Sequence, residues 1–297
     1  MALFRLFILL LVLGLASAAL AADAKPGAAH WEQLISQAGP EAGEAYVELM
    51  RHYGLSAPKR AEAYAQEARK YFEKFPSPRL QAAVESELAY ALMIDGRLSE
   101  AMTQAEFAMQ FATAQKQDSA LARAEMNRGS VRYIIGDYEG ALMDYQQAGK
   151  RYEALGNTER LNNLNKNIGN VLMQLGQYGK AETLYRKLLT YWRAQPGPSV
   201  ELALAEEGLA ATLLRVPRYG EAIEHYREAL RILDLLGRND ARHIIYSGLS
   251  NAYLKNGEAE QALRTAQDGL DASSRSGVNL FTGNLLVNKA EALLALG

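Results

Sequence analysis

The chain has 297 residues, with 32 Lys and Arg against 34 Asp and Glu, a formal net charge of -2 and no cysteine. That balance argues against a general nucleic-acid binder, which needs surplus cations to neutralise phosphates. The missing thiol excludes disulfides, thiolate metal sites and cysteine catalysis.

Arg5 opens the N-terminus, ahead of an apolar stretch over 6–15 and small residues ending Ala19-Leu20-Ala21. This is the layout of a secretory signal peptide with an A-x-A cleavage site, so residues 1–21 are expected to be removed. The other reading is an uncleaved anchor, for which the stretch is short against the roughly 20 residues a span requires. No cysteine follows the cleavage site, which argues against a lipoprotein. Export without disulfides suits a bacterial periplasm or secretion. Residues 22–40 read as a leader with a short helix over 31–37. Residues 41–78 read as a divergent, capping helical hairpin, with helices over 41–53 and 57–75 joined at Gly54-Leu55-Ser56. Pro76 and Pro78 break the chain after it.

From residue 79 to 297 the chain repeats itself. Ala101, Ala141, Ala181, Ala222 and Ala262 follow at steps of 40, 40, 41 and 40 residues. Five residues before each stands Gly96, Gly136, Gly176, Pro217 or Gly257, and four after it Ala105, Tyr145, Tyr185, Tyr226 or Ala266. Seven before the turn comes a small residue: Ala89, Gly129, Gly169, Ala210 or Ser250. Offsets of three, four and seven lie on one helix face, and a glycine between two such stretches ends one helix and turns the chain. Each unit is therefore a helical hairpin whose small residues let backbones approach. First helices are predicted near 79–94, 119–135, 158–175, 199–214 and 240–255, and second helices near 98–115, 138–155, 178–193, 219–236 and 259–274. Gly156, Gly237, Gly277 and Pro196-Gly197-Pro198 mark the turns between repeats, with Ser199 as an N-cap. A last helix near 280–296 begins a further repeat, with Gly297 in the turn position. Its apolar face suggests the N-terminal part of a longer protein, or a surface covered by something else.

The run Gly-Asp-Tyr-x-x-Ala-x-x-x-Tyr-x-x-Ala from Gly136 to Ala148, with variants at 176–188 and 217–229, resembles the tetratricopeptide repeat. The period here is longer than the family's usual length of about 34 residues, and the usual proline after the second helix is missing. The resemblance implies an all-α fold: an α-solenoid of antiparallel helical hairpins forming a right-handed superhelix. In such folds the first helices line an inner groove. Matching by register places Ser86, Tyr90, Met93, Ile94, Arg123, Met126, Ser130 and Tyr133 there from the first two repeats. Asn163, Lys166, Asn170, Met173, Gln174, Glu207, Ala211, Arg215, Ser247, Asn251 and Lys255 follow from the later ones. Tyr90, Met93, Met126, Tyr133, Lys166, Asn170, Met173, Glu207 and Asn251 are the candidate partner-binding residues, and the five repeat alanines the packing residues. Met93, Ile94 and Met126 read equally as packing between neighbouring helices, since methionine serves both roles. Lys166 and Asn170 match the first positions of the family's carboxylate clamp, but Gly208, Ile244 and Gly248 hold the later ones, so no clamp is predicted.

No motif points to catalysis. His30, His52, His225 and His243 are scattered, and the stretch from Gly176 to Lys180 lacks the first glycine and the Ser or Thr of a phosphate loop. No catalytic residue, cofactor or metal site is expected. The favoured reading is an exported, non-enzymatic scaffold binding a protein or peptide on a preorganised surface. The alternative is the periplasmic input region of a membrane signalling protein, of the diguanylate cyclase or sensor kinase type. Its output domain and membrane contact would lie beyond Gly297.

Overall fold

The computed structural model describes residues 27–37, 39, 41–238, 242–276 and 282–297. The expected signal peptide, the Gly277 turn and the expected starts of the helices near 240 and 280 lie outside these residues. The described residues form fourteen α-helices and no strand: α1 (Ala28–Ser36), α2 (Ala42–Ser56), α3 (Pro58–Lys74), α4 (Pro78–Ile94), α5 (Leu98–Ala114), α6 (Asp118–Ile135), α7 (Tyr138–Ala154), α8 (Thr158–Gln174), α9 (Tyr178–Arg193), α10 (Val200–Arg215), α11 (Tyr219–Leu235), α12 (Arg242–Lys255), α13 (Ala259–Ser276) and α14 (Thr282–Leu296). The bounds fall within three residues of those predicted from periodicity. One junction differs. The turn expected at Gly54 is displaced to Ala57, and α2 runs through Gly54 because the Tyr90 ring packs on it; a Cβ there would stand 3.2 Å from Tyr90 Cδ1.

Local chemistry starts and stops these helices. Pro58 and Pro78 occupy first-turn positions, where the missing N–H costs nothing. Asp137 and Ser199 cap α7 and α10 by accepting from the Gly140 and Leu202 amides. Gly136 takes φ 88° after α6, which lets the Asp137 amide reach back to the Arg132 carbonyl at 2.9 Å. Between hairpins, Gly156 does the same at φ 65°, but Lys116 holds the equivalent place at φ 54° and carries the steric strain of a left-handed side chain.

The chain divides into two compact units, one up to Asn167 and one from Ile168. In the first, α2, α4 and α6 lie side by side, and α3, α5 and α7 pack back against them. In the second, α10, α12 and α14 lie side by side, with α11 and α13 packed against them and α9 against α10. Ala101, Ala141, Ala181, Ala222 and Ala262 are each 0% exposed. On α5 the spacing Ala101, Ala105, Ala108, Ala112 makes one continuous buried ridge of methyls. The core of the first unit gathers Tyr46, Met50, Phe72, Leu80, Val84, Leu88, Leu92 and Val131 about it.

Tyrosines wedge the hairpins together. The Tyr145 ring fills the space over Gly129, where a Cβ would come to 2.8 Å. In the second unit Tyr185 is held between Gly169 and Gly208, with Cβ approaches of 2.7 and 2.3 Å, and Tyr226 lies on Gly248 at 2.4 Å. Glycine inside a helix costs about 1 kcal/mol against alanine. Burial of a whole aromatic side chain, typically worth about 3–5 kcal/mol on truncation, exceeds that cost.

Candidate functional site

Within each unit, first helices approach first helices closely, while no comparable approach between second helices occurs among the described residues. Closer spacing on one side means each unit bends toward its first helices. Their exposed side chains therefore form the inner face.

The structure sorts the nine sequence-predicted residues by depth. Tyr90, Met93, Met126 and Tyr133 are 5%, 2%, 5% and 3% exposed. This corrects their assignment as surface contacts: they are packing residues, Tyr90 and Met93 inside the core of the first unit and Tyr133 edge-on to Tyr138. The neighbouring first helix covers Tyr90, whose ring lies on Gly54 of α2. Lys166, on α8 in the first unit, is half-buried. In the second unit Asn170, Met173, Glu207 and Asn251 are half-buried. Asn170 accepts a 2.6 Å hydrogen bond from the Tyr185 hydroxyl, so one of its groups also fixes the wedge. The Met173 sulfur lies 3.0 Å from the Thr212 hydroxyl.

The sequence reading placed Arg123 on the inner face but missed its buried partner Glu87 and the neighbouring Arg51 and Arg160. Glu87 on α4 is buried and accepts from two guanidiniums: Arg51 Nε of α2 at 3.1 Å and Arg123 Nη2 of α6 at 2.9 Å. Burial pushes the Glu87 carboxyl up, but Arg123, Arg51 and Arg160 outweigh it and hold it below the usual carboxylate value. The Arg123 guanidinium stacks over the Tyr90 ring at 5.1 Å. Burial raises the Tyr90 phenol well beyond its ordinary value, so it stays neutral. The sequence signal was present: Arg51, Glu87, Arg123 and Arg160 follow at steps of 36, 36 and 37 residues.

Other buried acids join first helices to second helices and are all paired. Glu85 meets Arg69, Glu125 meets Arg151, Asp144 meets Arg128 and Arg132, and Glu206 meets Arg193 and His225. Pairs this deep join helices and fix register. Among the described residues no group of His, Cys, Asp or Glu is placed to hold a metal, and no helix is long and apolar enough to cross a membrane.

Residues 159–234 match the family model for the tetratricopeptide repeat. No curated protein matches the chain. Among solved structures the fold is similar to NprR in complex with its cognate peptide NprX, at 15% identity over 87% of this chain and 75% of that one, with a TM-score of 0.63. It is similar to Rap protein complexed with competence and sporulation factor, at 16% identity over 90% and 87%, TM-score 0.64. It is also similar to BtubC from P. vanneervenii, at 17% identity over 71% and 88%, TM-score 0.58. Residues 159–234 match the tetratricopeptide repeat, and the described residues adopt a TPR-like, all-α solenoid fold.

Proposed function

We propose that the protein is a non-enzymatic scaffold that holds a peptide, or an extended segment of a protein, against its first helices. The observation that carries this reading is the fold shared with NprR and Rap, whose structures hold NprX and competence and sporulation factor. The inner faces supply the means. Half-buried polar side chains such as Lys166 in one unit and Asn251 in the other stand on helices locked by buried alanines and tyrosine wedges. A rigid face loses little entropy on binding.

Selection of random linear peptides on the full chain should enrich binders. Lys166→Glu should weaken the best of them about tenfold, while Lys187→Glu, the same charge change on an exposed position of α9, leaves affinity unchanged. Equal effects from both variants, with helical content intact, would sink the inner-face assignment.

Export belongs to the same proposal. It is supported by Arg5, the apolar run over 6–15 and Ala19-Leu20-Ala21. Mass spectrometry of the protein recovered from a bacterial envelope should find a mature N-terminus at Ala22; retention of Met1 in the cytoplasm contradicts it.

A further inference from the structure

The strongest unexplained feature lies in the first unit, where Arg51, Glu87, Arg123 and Arg160 stand on α2, α4, α6 and α8. The steps from Glu87 to Arg123 and from Arg123 to Arg160, 36 and 37 residues, are shorter than the repeat of about 40 by roughly one helical turn. Arg51 and Glu87 stand level on their helices, Arg123 sits about one turn nearer the start of its own, and Arg160 about two turns. The last three therefore step progressively toward the starts of successive first helices. We propose that this series is a recognition site for a carboxylate carried by a peptide ligand, with Arg123 and Arg160 as the contacting groups.

Three observations support it. The first is charge. Arg51 is shared between Glu48 at 2.6 Å and Glu87 at 3.1 Å, and Arg123 pairs with Glu87 alone. Arg160 lies close enough to lower the Glu87 titration, yet its side chain makes no hydrogen bond or ion pair among the described residues. Three guanidiniums thus face two carboxylates, Glu48 and Glu87, which leaves one positive charge uncompensated beside a buried ion pair.

The second is hydrogen bonding. Each Glu87 oxygen already takes one guanidinium, Oε1 from Arg51 and Oε2 from Arg123. Arg123 Nε and the Tyr152 hydroxyl are buried with no partner, and Tyr152 is near enough to act electrostatically on Arg123. Unmet donors in a low-dielectric setting are costly. A carboxylate brings two acceptor oxygens and the missing negative charge together, and a guanidinium offers the planar fork that such a group fits.

The third is preorganisation. Stacking on Tyr90 and the bond to Glu87 hold Arg123 in place before any ligand arrives. The site differs in residues and register from the clamp whose later positions are filled by Gly208, Ile244 and Gly248. It rests on the peptide-binding reading and narrows it to acidic or free-carboxylate peptides.

The test is a selection of random linear peptides on the full chain, followed by affinities of the enriched sequences. Enrichment of Asp, Glu or a free C-terminus is expected, with affinity falling as salt rises. Replacing the ligand's acids by Asn or Gln should weaken binding about tenfold if a side chain is read, and amidating its C-terminus should do so if the terminus is read. These ligand changes leave the protein untouched, so misfolding cannot mimic them. Arg160→Gln, which removes no internal bond, should reproduce the same loss with helical content unchanged. Enriched peptides without acidic preference, or insensitive to both the ligand changes and Arg160→Gln, overturn the proposal and leave peptide binding standing. A selection that enriches nothing overturns both.

Discussion

The two units solve one structural problem differently. Fourteen residues before the repeat alanines, the first unit has Glu87, Asn127 and Asn167, whereas the second has Gly208 and Gly248. In the first unit two of these positions join helices by polar bonds: Glu87 takes two arginines, and the Asn127 amide donates to the Ser86 carbonyl at 2.6 Å. In the second unit the glycines admit Tyr185 and Tyr226, and the contact becomes ring on backbone. Asn288 returns to the polar solution, donating to the Ser247 carbonyl at 2.9 Å. One repeat position can thus serve charge or packing.

The largest effect should come from removing a ring. Tyr185→Ala empties the space between Gly169 and Gly208 and should cost about 4 kcal/mol in urea unfolding. Trp192 on α9 reports the second unit once Trp31 is replaced by Phe. A loss under about 1 kcal/mol would contradict the wedge. Gly208→Val attacks the same contact from the other side. Its Cβ would stand 2.3 Å from Tyr185, and the overpacking should cost about 3 kcal/mol. Gly220→Ala, with nothing within 4 Å of its Cβ, should instead gain up to about 1 kcal/mol.

Glu87→Gln should cost the first unit about 2 kcal/mol at neutral pH, followed through Trp31 with Trp192 replaced by Phe. The sign of its pH dependence is fixed. The folded carboxyl titrates below its ordinary 4.5, so the folded state binds fewer protons than the unfolded one. The stabilisation is complete above that ordinary value and disappears as pH falls through the lowered one. Glu125, whose carboxyl burial raises, works in the opposite direction and is common to both proteins. A deficit of the Glu87→Gln variant that persists in acid would contradict the ion-pair account. The smallest effect is a gain: Lys116→Gly should stabilise by about 1 kcal/mol, because φ 54° suits glycine.

Much of this was legible in the sequence. The alanine period set the hairpins, and Gly136 and Ser199 marked turns and caps, because their chemistry is local. Gly54 misled, since its role is to receive Tyr90 from a residue 36 positions away. Tyr90, Met93, Met126 and Tyr133 were expected at the surface and lie buried. Register gives direction around a helix, whereas exposure depends on how closely the next helix approaches. The arginine series was hidden because it advances by about 36 residues, against a repeat of about 40.

The central claim, that first helices carry the ligand, is tested most directly by photo-crosslinking. A selected peptide bearing a benzophenone residue would be bound to the full chain, irradiated and mapped by mass spectrometry. The account predicts adducts on α4, α6, α8, α10 or α12. Adducts confined to α5, α7, α9, α11 or α13 would contradict it.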